Sequence, residues 1–433
     1  MLNISWLQKR LQRAHYLSFS LYAALVSFGT YSCMYAFRKP FTSGTFDGMS
    51  FLGIDYKIWL VITQTIGYAC SKFYGIRFIA EMQGNKRARS IILLILISWI
   101  ALLLFAVTPA PYNIVFLFIN GFPLGMIWGL VFSYLEGRRS TEFMGAVLSI
   151  SFIFSSGFVK SVGKTVTVHW GVSEFWMPFT TGLIFIVPIL IFILLLEQIP
   201  APSAEDERLR TKRAPMSRLD RKKFLQLCMP GLVLLIASYV LLTVLRDMRD
   251  NFAADIWTDL GFGKQPAIFT QTEVPISIAI LVMMSLLVFV KNNVKALLLN
   301  HLIVIVGFIV AGVSTLLFRE HLISPVWWMT LTGLGLYMGY IPFNCIFFER
   351  LIAAFKYVSN VGFIIYVADS FGYLGSVGVL LFKNFSGISL SWSQFFMDVV
   401  LVVSGVGIIM MFISSVYFKR KLQPASPGEL AIP

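Results

Sequence analysis

Charged residues are scarce in this sequence. Lysine, arginine, aspartate and glutamate make up 13% of its 433 residues, against about 25% in a typical soluble protein. Cysteine and histidine are also rare, with four of each, and the cysteines lie apart with no C-x-x-C spacing. We therefore expect neither a disulfide framework nor a metal centre. Because 57% of the residues are hydrophobic, the sequence predicts an all-α polytopic membrane protein.

The formal net charge of +14 does not indicate a nucleic-acid partner. The basic residues cluster in short loops between apolar runs, for example "NKRAR" at 85–89 and "KRK" at 419–421, as the positive-inside rule requires of cytoplasmic loops. Both termini are then cytoplasmic. The first apolar run has no small-residue cleavage site and is long enough to span a bilayer, so we expect it to be a membrane span and not a signal peptide.

Apolar runs of about 18 to 25 residues predict twelve transmembrane helices. Their approximate spans are 16–38, 57–80, 90–108, 112–134, 143–163, 175–196, 227–249, 266–290, 295–317, 325–348, 358–382 and 394–418.

One long polar segment divides these spans into two sets of six. The segment at 197–226 is rich in charge and proline, which is typical of a linker. We expect an N-terminal six-helix bundle at 1–196 and a C-terminal bundle at 227–433. Six helices, a basic loop and six more is the architecture of the major facilitator superfamily, in which two pseudo-symmetric halves hold the substrate near mid-membrane. We expect a monomer in the bilayer.

The first helix of each predicted half carries the same spacing. Tyr31 precedes Arg38 by seven residues, and Tyr239 precedes Arg246 by seven. Related helices of this fold face one another across the cavity, so both arginines are candidate substrate ligands. Two alternatives stay open: an interfacial anchor for either arginine, or a local ion-pair cluster of Arg246 within "RDMRD".

Other ionisable residues lie within the predicted spans, where burial in lipid costs several kcal/mol. Lys72 follows Tyr68 by one turn on the same helical face, which favours a cavity lining over a lysine that snorkels to the interface. Glu273 and Asp369 either carry a coupling proton or neutralise Arg246 or Lys72. Lys160, near the end of the fifth span, is expected to be an interface residue.

Two motifs of soluble enzymes can be dismissed. "GFVKSVGKT" at 157–165 has five residues between its glycines where a P-loop has four, and no strand precedes it. No G-x-S-x-G is present. Clustered catalytic His, Asp or Glu, which a membrane enzyme would need, are also missing. We expect no enzymatic activity and no cofactor.

The residues of the first two helices resemble those of the organophosphate:phosphate antiporters, a branch of the major facilitator superfamily that carries glycerol 3-phosphate and hexose phosphates. "YSCMYAFRKPF" is similar to the family's first-helix signature, and "YACSKF" to its second-helix sequence. The resemblance implies that the substrate is bound by Tyr31, Tyr35, Arg38, Tyr68 and Lys72.

The resemblance extends to three helices of the second half. Arg246 matches the second phosphate-binding arginine, Glu273 with Pro275 matches the eighth helix, and "FGYLGS" with Tyr373 matches the eleventh. Two features depart from the family: the fifth-helix histidine is absent, and Thr243 replaces a tyrosine.

The sequence thus predicts a secondary transporter that moves a small anionic, phosphorylated metabolite by alternating access, in exchange for phosphate. The alternative is a proton-coupled symporter or exporter that uses Asp369 or Glu273. The compact loops favour the bacterial inner membrane.

Overall fold

The computed structural model describes residues 4–80, 82, 86–138, 140–202, 206, 218–355, 362–385 and 390–422. The long elements in these ranges are all helices. In the first part of the chain they are α1 (Ser5–Arg13), α2 (Tyr16–Tyr35), α3 (Tyr56–Ala80), α4 (Arg87–Val107), α5 (Ile114–Phe132), α6 (Thr141–Val168) and α7 (Met177–Glu197).

The second part also consists of helices, both long and short. They are α8 (Arg218–Asn251), α9 (Ala253–Asp259), α10 (Ala267–Val288), α11 (Asn293–Arg319), α12 (Pro325–Pro342), α13 (Phe348–Ala354), α14 (Gly362–Phe385) and α15 (Trp392–Leu422). A π-helical turn, Phe343–Phe347, joins α12 to α13. Pro342 lacks a backbone N–H and cannot donate in the α-helical ladder; the π-helical turn begins at the next residue.

The helices coincide with the predicted membrane spans. Within the described residues, ten helices are long and apolar enough to cross a membrane. The other two predicted spans, 57–80 and 358–382, correspond to α3 and α14. Helix α8 begins at Arg218, inside the predicted linker. The linker positions 203–205 and 207–217 lie outside the described residues.

A two-residue antiparallel hairpin precedes α3. Strands β1 (Ser50–Phe51) and β2 (Ile54–Asp55) pair Ser50 with Asp55 and Phe51 with Ile54. The two turn residues between them both have positive φ, 52° at Leu52 and 73° at Gly53, which is the conformation of a type I′ hairpin turn.

Contacts divide the chain into two compact units. The first consists of Met1–Arg210, Arg246–Ser285 and Ser376–Phe396, and the second of Thr211–Leu245, Leu286–Gly375 and Met397–Pro433. The division into a bundle at 1–196 and a bundle at 227–433, which the sequence suggests, remains a prediction. The first unit includes the helices from α1 to α7, the last residues of α8, the whole of α9 and most of α10.

In the first unit, small residues bring α3 and α5 together. A Cβ added at Gly67 would overlap the carbonyl oxygen of Phe118, and one added at Gly121 would overlap that of Gln64. Close approach of backbones through small residues is a common way for membrane helices to associate. It fixes α3, which carries Tyr68 and Lys72, against α5.

In the second unit, α11 and α12 meet through a similar glycine pair. A Cβ at Gly335 would overlap the carbonyl oxygen of Gly307, and it would lie 2.8 Å from the backbone nitrogen of Ala311. Both obstructing atoms belong to backbone, so they cannot rotate away. The helices would have to separate.

We therefore predict that Gly335→Ala lowers the stability of the protein by about 1–3 kcal/mol, the range typical of overpacking. The matched control is Gly405→Ala on α15 of the same unit, where an added Cβ meets no atom within 4 Å. Melting in detergent, followed by intrinsic fluorescence, measures both. Equal melting temperatures for the two variants would contradict this packing.

Candidate functional site

Buried amides hold the end of α2 and thereby place Arg38. Helix α2 ends at Tyr35 and continues in tight turns, so the carbonyls that follow need partners outside the helix. Gln64 Nε2 donates to the Arg38 carbonyl at 2.9 Å, and Asn120 Nδ2 donates to the Phe37 carbonyl at 2.9 Å. Gln64 also donates to Asn120 Oδ1 at 2.8 Å. The backbone of Arg38 is fixed by α3 and α5.

The side chain of Arg38 packs on tyrosine rings. Its Cζ lies 3.8 Å from the centroid of the Tyr68 ring and 5.9 Å from that of Tyr35. Lys72 Nζ lies 5.6 Å from the Tyr68 ring centroid. Tyr31 meets Tyr35 edge to face at 5.5 Å and interacts electrostatically with Tyr68. The structure thus brings together five of the predicted site residues, which we call the basic–tyrosine cluster.

The stacking on Tyr68 covers the flat face of the Arg38 guanidinium and does not cover its hydrogen-bonding edge. A cation–π contact engages the flat face of the guanidinium, whereas its five N–H groups point outward in the plane. Such a planar fork matches the oxygens of a phosphate or carboxylate. The cluster adds the ammonium of Lys72 and the phenol hydroxyls, so its chemistry suits an anion.

Arg246 lies near this cluster. Tyr35 interacts electrostatically both with Arg38, which follows the end of α2, and with Arg246 on α8 in the same unit. Arg246 also donates through Nε and Nη2 to Asp247 Oδ1, at 3.0 and 2.7 Å, and its side chain is 18% exposed. The ion pair with its neighbour is the local pairing that the sequence left open as an alternative. The predicted role of Arg246 in substrate binding stays a prediction.

Glu273 on α10 has a different partner from the one expected. The sequence suggested that it neutralises Arg246 or Lys72, but its Oε1 accepts from Arg249 Nη1 at 2.5 Å. Both side chains are buried. Gly157 on α6 provides the space, since an added Cβ there would lie 2.5 Å from Cγ of Glu273. Charge balancing remains the predicted role of Glu273, with Arg249 as the cation.

Asp369 and Tyr373 lie on α14 in the second unit. Asp369 is buried and accepts a hydrogen bond from the hydroxyl of Tyr239. The Tyr239 ring stacks on Tyr340 with centroids 5.4 Å apart, and the two hydroxyls are 3.3 Å apart. Tyr373 is half-buried one turn further along. Tyr239, which precedes Arg246 by seven residues, therefore donates to a carboxyl group, whereas the ring of Tyr31 packs edge to face on that of Tyr35.

A set of buried ion pairs adjoins the basic–tyrosine cluster, and sequence reasoning missed most of it. Asp250 forms ion pairs with Lys39 and with Lys160, the latter at 2.5 Å, and accepts a hydrogen bond from Ser156. Lys39 Nζ also donates to Asn251 Oδ1 at 2.7 Å. The expectation that Lys160 is an interface residue is wrong, because its side chain is 3% exposed and paired.

A further pair joins Lys57 to Asp255. Their charged atoms are 2.5 Å apart, and Lys57 Nζ also donates to the carbonyls of Thr42 and Gly44, at 3.1 and 2.6 Å. We refer to the paired residues as the buried ion-pair network: Lys39, Lys57, Lys160, Arg249, Asp250, Asp255 and Glu273.

The network connects distant parts of the chain within the first unit. Lys39, Lys57 and Lys160 belong to the first half of the sequence, and Asp250 and Asp255 to the second. A buried charge without its partner pays a desolvation penalty that nothing offsets. A sequence signal existed in the alternating charges of "RDMRD", but nothing local identified their partners.

We predict that Asp250→Asn destabilises the protein by about 3–5 kcal/mol, because two buried lysines lose their common carboxylate. The control is Asp398→Asn, which removes a half-exposed carboxylate 3.7 Å from Arg319 and should change stability by less than about 1 kcal/mol. Adding Lys160→Met to Asp250→Asn should restore part of the loss. If Asp250→Asn and Asp398→Asn have the same melting temperature, the buried ion-pair network does not contribute to stability as described.

The Lys57–Asp255 pair predicts a pH dependence. Asp255 lies in the short helix α9, and burial raises its pKa to about 6 in spite of Lys57. The unfolded pKa is about 3.9, so the folded protein binds this proton more tightly. Stability from this group is therefore fully present below pH 4 and is lost as the pH rises to about 6.

The melting temperature of wild type, measured relative to that of Asp255→Asn, should fall between pH 4 and about 6 and stay level above pH 7. Repeating the comparison with Asp398→Asn as the reference should abolish the decline, because Asp255 titrates in both proteins and its contribution cancels. A wild-type advantage that grows with pH would contradict the raised pKa.

Within the described residues, no group of three or more His, Cys, Asp and Glu side chains is placed to hold a metal ion.

Comparison with known proteins gives the fold. The model of a family of unknown function, DUF5690, matches residues 40–421. No curated protein matches the sequence. A bacterial homologue of the human drug peptide transporters PepT1 and PepT2 has a similar structure, with a TM-score of 0.62 and 12% identity over 93% of this chain and 99% of that one.

Two other solved structures are similar. A D-xylose–proton symporter gives a TM-score of 0.60 and 13% identity over 93% of this chain and 97% of its own. The human organic anion transporter MFSD10 (TETRAN) gives a TM-score of 0.56 and 13% identity over 90% of this chain and 98% of its own. Identities this low show the fold alone. The chain is an integral, multi-pass membrane protein with the major facilitator fold, as the sequence predicts.

Proposed function

Since the chain belongs to the DUF5690 family and has the major facilitator fold, we propose that it is a secondary transporter of a small anionic metabolite, with a phosphorylated solute as the leading candidate. Alternating access, in which the two halves of such a fold rock around a fixed site, is the transport mechanism. The bacterial inner membrane is the proposed location.

The observation that carries this proposal is the position of Arg38 on the Tyr68 ring, 3.8 Å from its centroid, with Lys72 beside the same ring. The ring holds the guanidinium in one orientation, so little side-chain entropy is lost when an anion binds. Arg38 supplies a bidentate contact, and Lys72 supplies a point charge. The effective dielectric constant there is lower than that of water, which strengthens both contacts.

Arg246 would contribute a second guanidinium from the other half of the sequence. Its interaction with Asp247 gives it a partner when no substrate is bound. Tyr35 lies near both arginines. An anion bound to Arg38 beside Tyr35 would therefore compete with Asp247 for Arg246. Binding would then couple helices α2 and α8 directly.

The buried ion-pair network suggests why exchange is favoured over uniport. Its lysines and carboxylates join residues of the two sequence halves, and in the proposed mechanism these pairs separate when the halves rock. Separation leaves buried charges unpaired at a cost of several kcal/mol. The binding energy of an anionic substrate can offset that cost. An empty carrier lacks this contribution and would reorient slowly, which supports exchange for inorganic phosphate.

The similarity of the first two helices to the organophosphate:phosphate antiporters supports a phosphorylated substrate. All five residues of the basic–tyrosine cluster belong to those matching motifs. The departures, a missing histidine and Thr243 in place of a tyrosine, affect other contacts. They bear on the organic part of the substrate and leave the anion contacts in place.

One observation favours the alternative of proton-coupled transport. Asp369 is buried and hydrogen-bonded to Tyr239, which is an environment in which a carboxyl group can exchange a proton during transport. In that case Asp369 would be the coupling residue, and the arginines would have structural roles.

Uptake of radiolabelled phosphate into proteoliposomes tests the proposal. We predict uptake that requires phosphate inside the vesicles and falls at least about tenfold in Arg38→Lys and in Arg246→Lys, because lysine cannot form the bidentate contact. The control is Arg319→Lys, an exposed arginine, which should transport normally. All variants keep their charge and should melt close to wild type.

The opposite outcome is equally clear. Uptake driven by a pH gradient alone, retained in both arginine variants and lost in Asp369→Asn, would support the symporter. Phosphate binding that raises the melting temperature without any flux would indicate a sensor. Either result would overturn exchange as the function.

A further inference from the structure

The N-terminal helix α1 presents an unusual outer face. Trp6, Lys9, Arg10 and Arg13 recur at the spacing of one helical face, and all four are exposed, Trp6 by 63%. The opposite face is held by the protein: Leu11 is buried. An exposed tryptophan among three cations is not explained by packing within the chain.

The connection to α2 turns the chain. Ala14 has φ −69° and ψ 147°, and His15 has φ −57° and ψ 142°. Two extended residues break the hydrogen-bond ladder, so α1 does not continue the axis of α2. The membrane-facing side of α2 begins at once, because Leu17, Leu21 and Leu25 are each more than half exposed.

The other end of α1 is fixed to a second span. The backbone N–H of Ile4 donates to Gln198 Oε1 at 3.0 Å, and Gln198 follows the last residue of α7. One end of α1 therefore lies at the start of α2, and the other lies at the end of α7. Both are on the side of the membrane that the basic loops mark as cytoplasmic. A helix held at two span ends on one side must run along that surface.

We propose that α1 is a binding helix for anionic phospholipids, with the phosphate groups of the cytoplasmic leaflet bound by Lys9, Arg10 and Arg13. Trp6 lies at the headgroup level, where the amphipathic indole ring is favoured. Basic residues near an anionic leaflet are attracted to it, and the attraction falls off within a Debye length. The helix is 9 residues long, or about 14 Å, so all three cations lie within reach of the leaflet that α2 enters. This proposal does not depend on which solute the protein transports.

The test uses the full-length protein in phosphatidylcholine nanodiscs with an increasing fraction of phosphatidylglycerol. Brominated phosphatidylglycerol should quench Trp6, measured as wild-type fluorescence minus that of Trp6→Phe. The apparent affinity for phosphatidylglycerol should fall about tenfold or more when Lys9, Arg10 and Arg13 are all replaced by glutamine. Inorganic phosphate added to the solution should not reduce the quenching of Trp6 by brominated phosphatidylglycerol.

The matched control replaces Lys419, Arg420 and Lys421, exposed at the end of α15, with glutamine. It removes the same charge from the same predicted side and should leave the Trp6 quenching curve unchanged. Equal losses in both triple variants would show diffuse attraction and overturn the proposal. Quenching that does not depend on phosphatidylglycerol in wild type would also overturn it, and would point to an acidic protein partner for this face.

Discussion

The structure depends on how ionised side chains are accommodated among apolar helices. A buried cation costs several kcal/mol unless an opposite charge or a polar group offsets its desolvation. In the first unit Lys39, Lys160 and Asp250 meet this requirement together, and Lys57 meets it with Asp255 and two carbonyls. Because the partners come from both halves of the sequence, the same pairs that stabilise the fold also restrict the movements available to it.

Arg38 is accommodated by different means from its neighbour Lys39. Lys39 ends on carboxylate and amide oxygens, whereas the guanidinium of Arg38 lies against an aromatic face. The oxygens around Lys39 neutralise its charge, whereas the aromatic ring beneath Arg38 orients its guanidinium. In the proposed carrier, two adjacent residues would thus serve two different requirements, a closed structure and a binding site. The close placement of the two sets is what would allow an arriving anion to influence the ion pairs.

Much of the fold could be predicted from sequence, because a run of about 20 apolar residues has few alternatives to a spanning helix. The tyrosines and cations of α2 and α3 could also be grouped, since helical spacing and a known motif place them together. The ion pairs could not. Lys160 looks like an interfacial lysine when read along the chain, and nothing near Lys160 or Lys57 in sequence identifies Asp250 or Asp255. Pairing between helices depends on tertiary packing, which the hydrophobic pattern leaves undetermined.

The most direct test of the central claim, that Arg38 and Arg246 bind one anion between them, is a double-mutant cycle on the affinity of the purified protein for inorganic phosphate. Arg38→Gln and Arg246→Gln are measured singly and together by calorimetry. We expect losses that are not additive, with a coupling energy above about 1 kcal/mol, because the two groups share one ligand. Additive losses, or an Arg246→Gln variant that binds phosphate as wild type does, would contradict the claim.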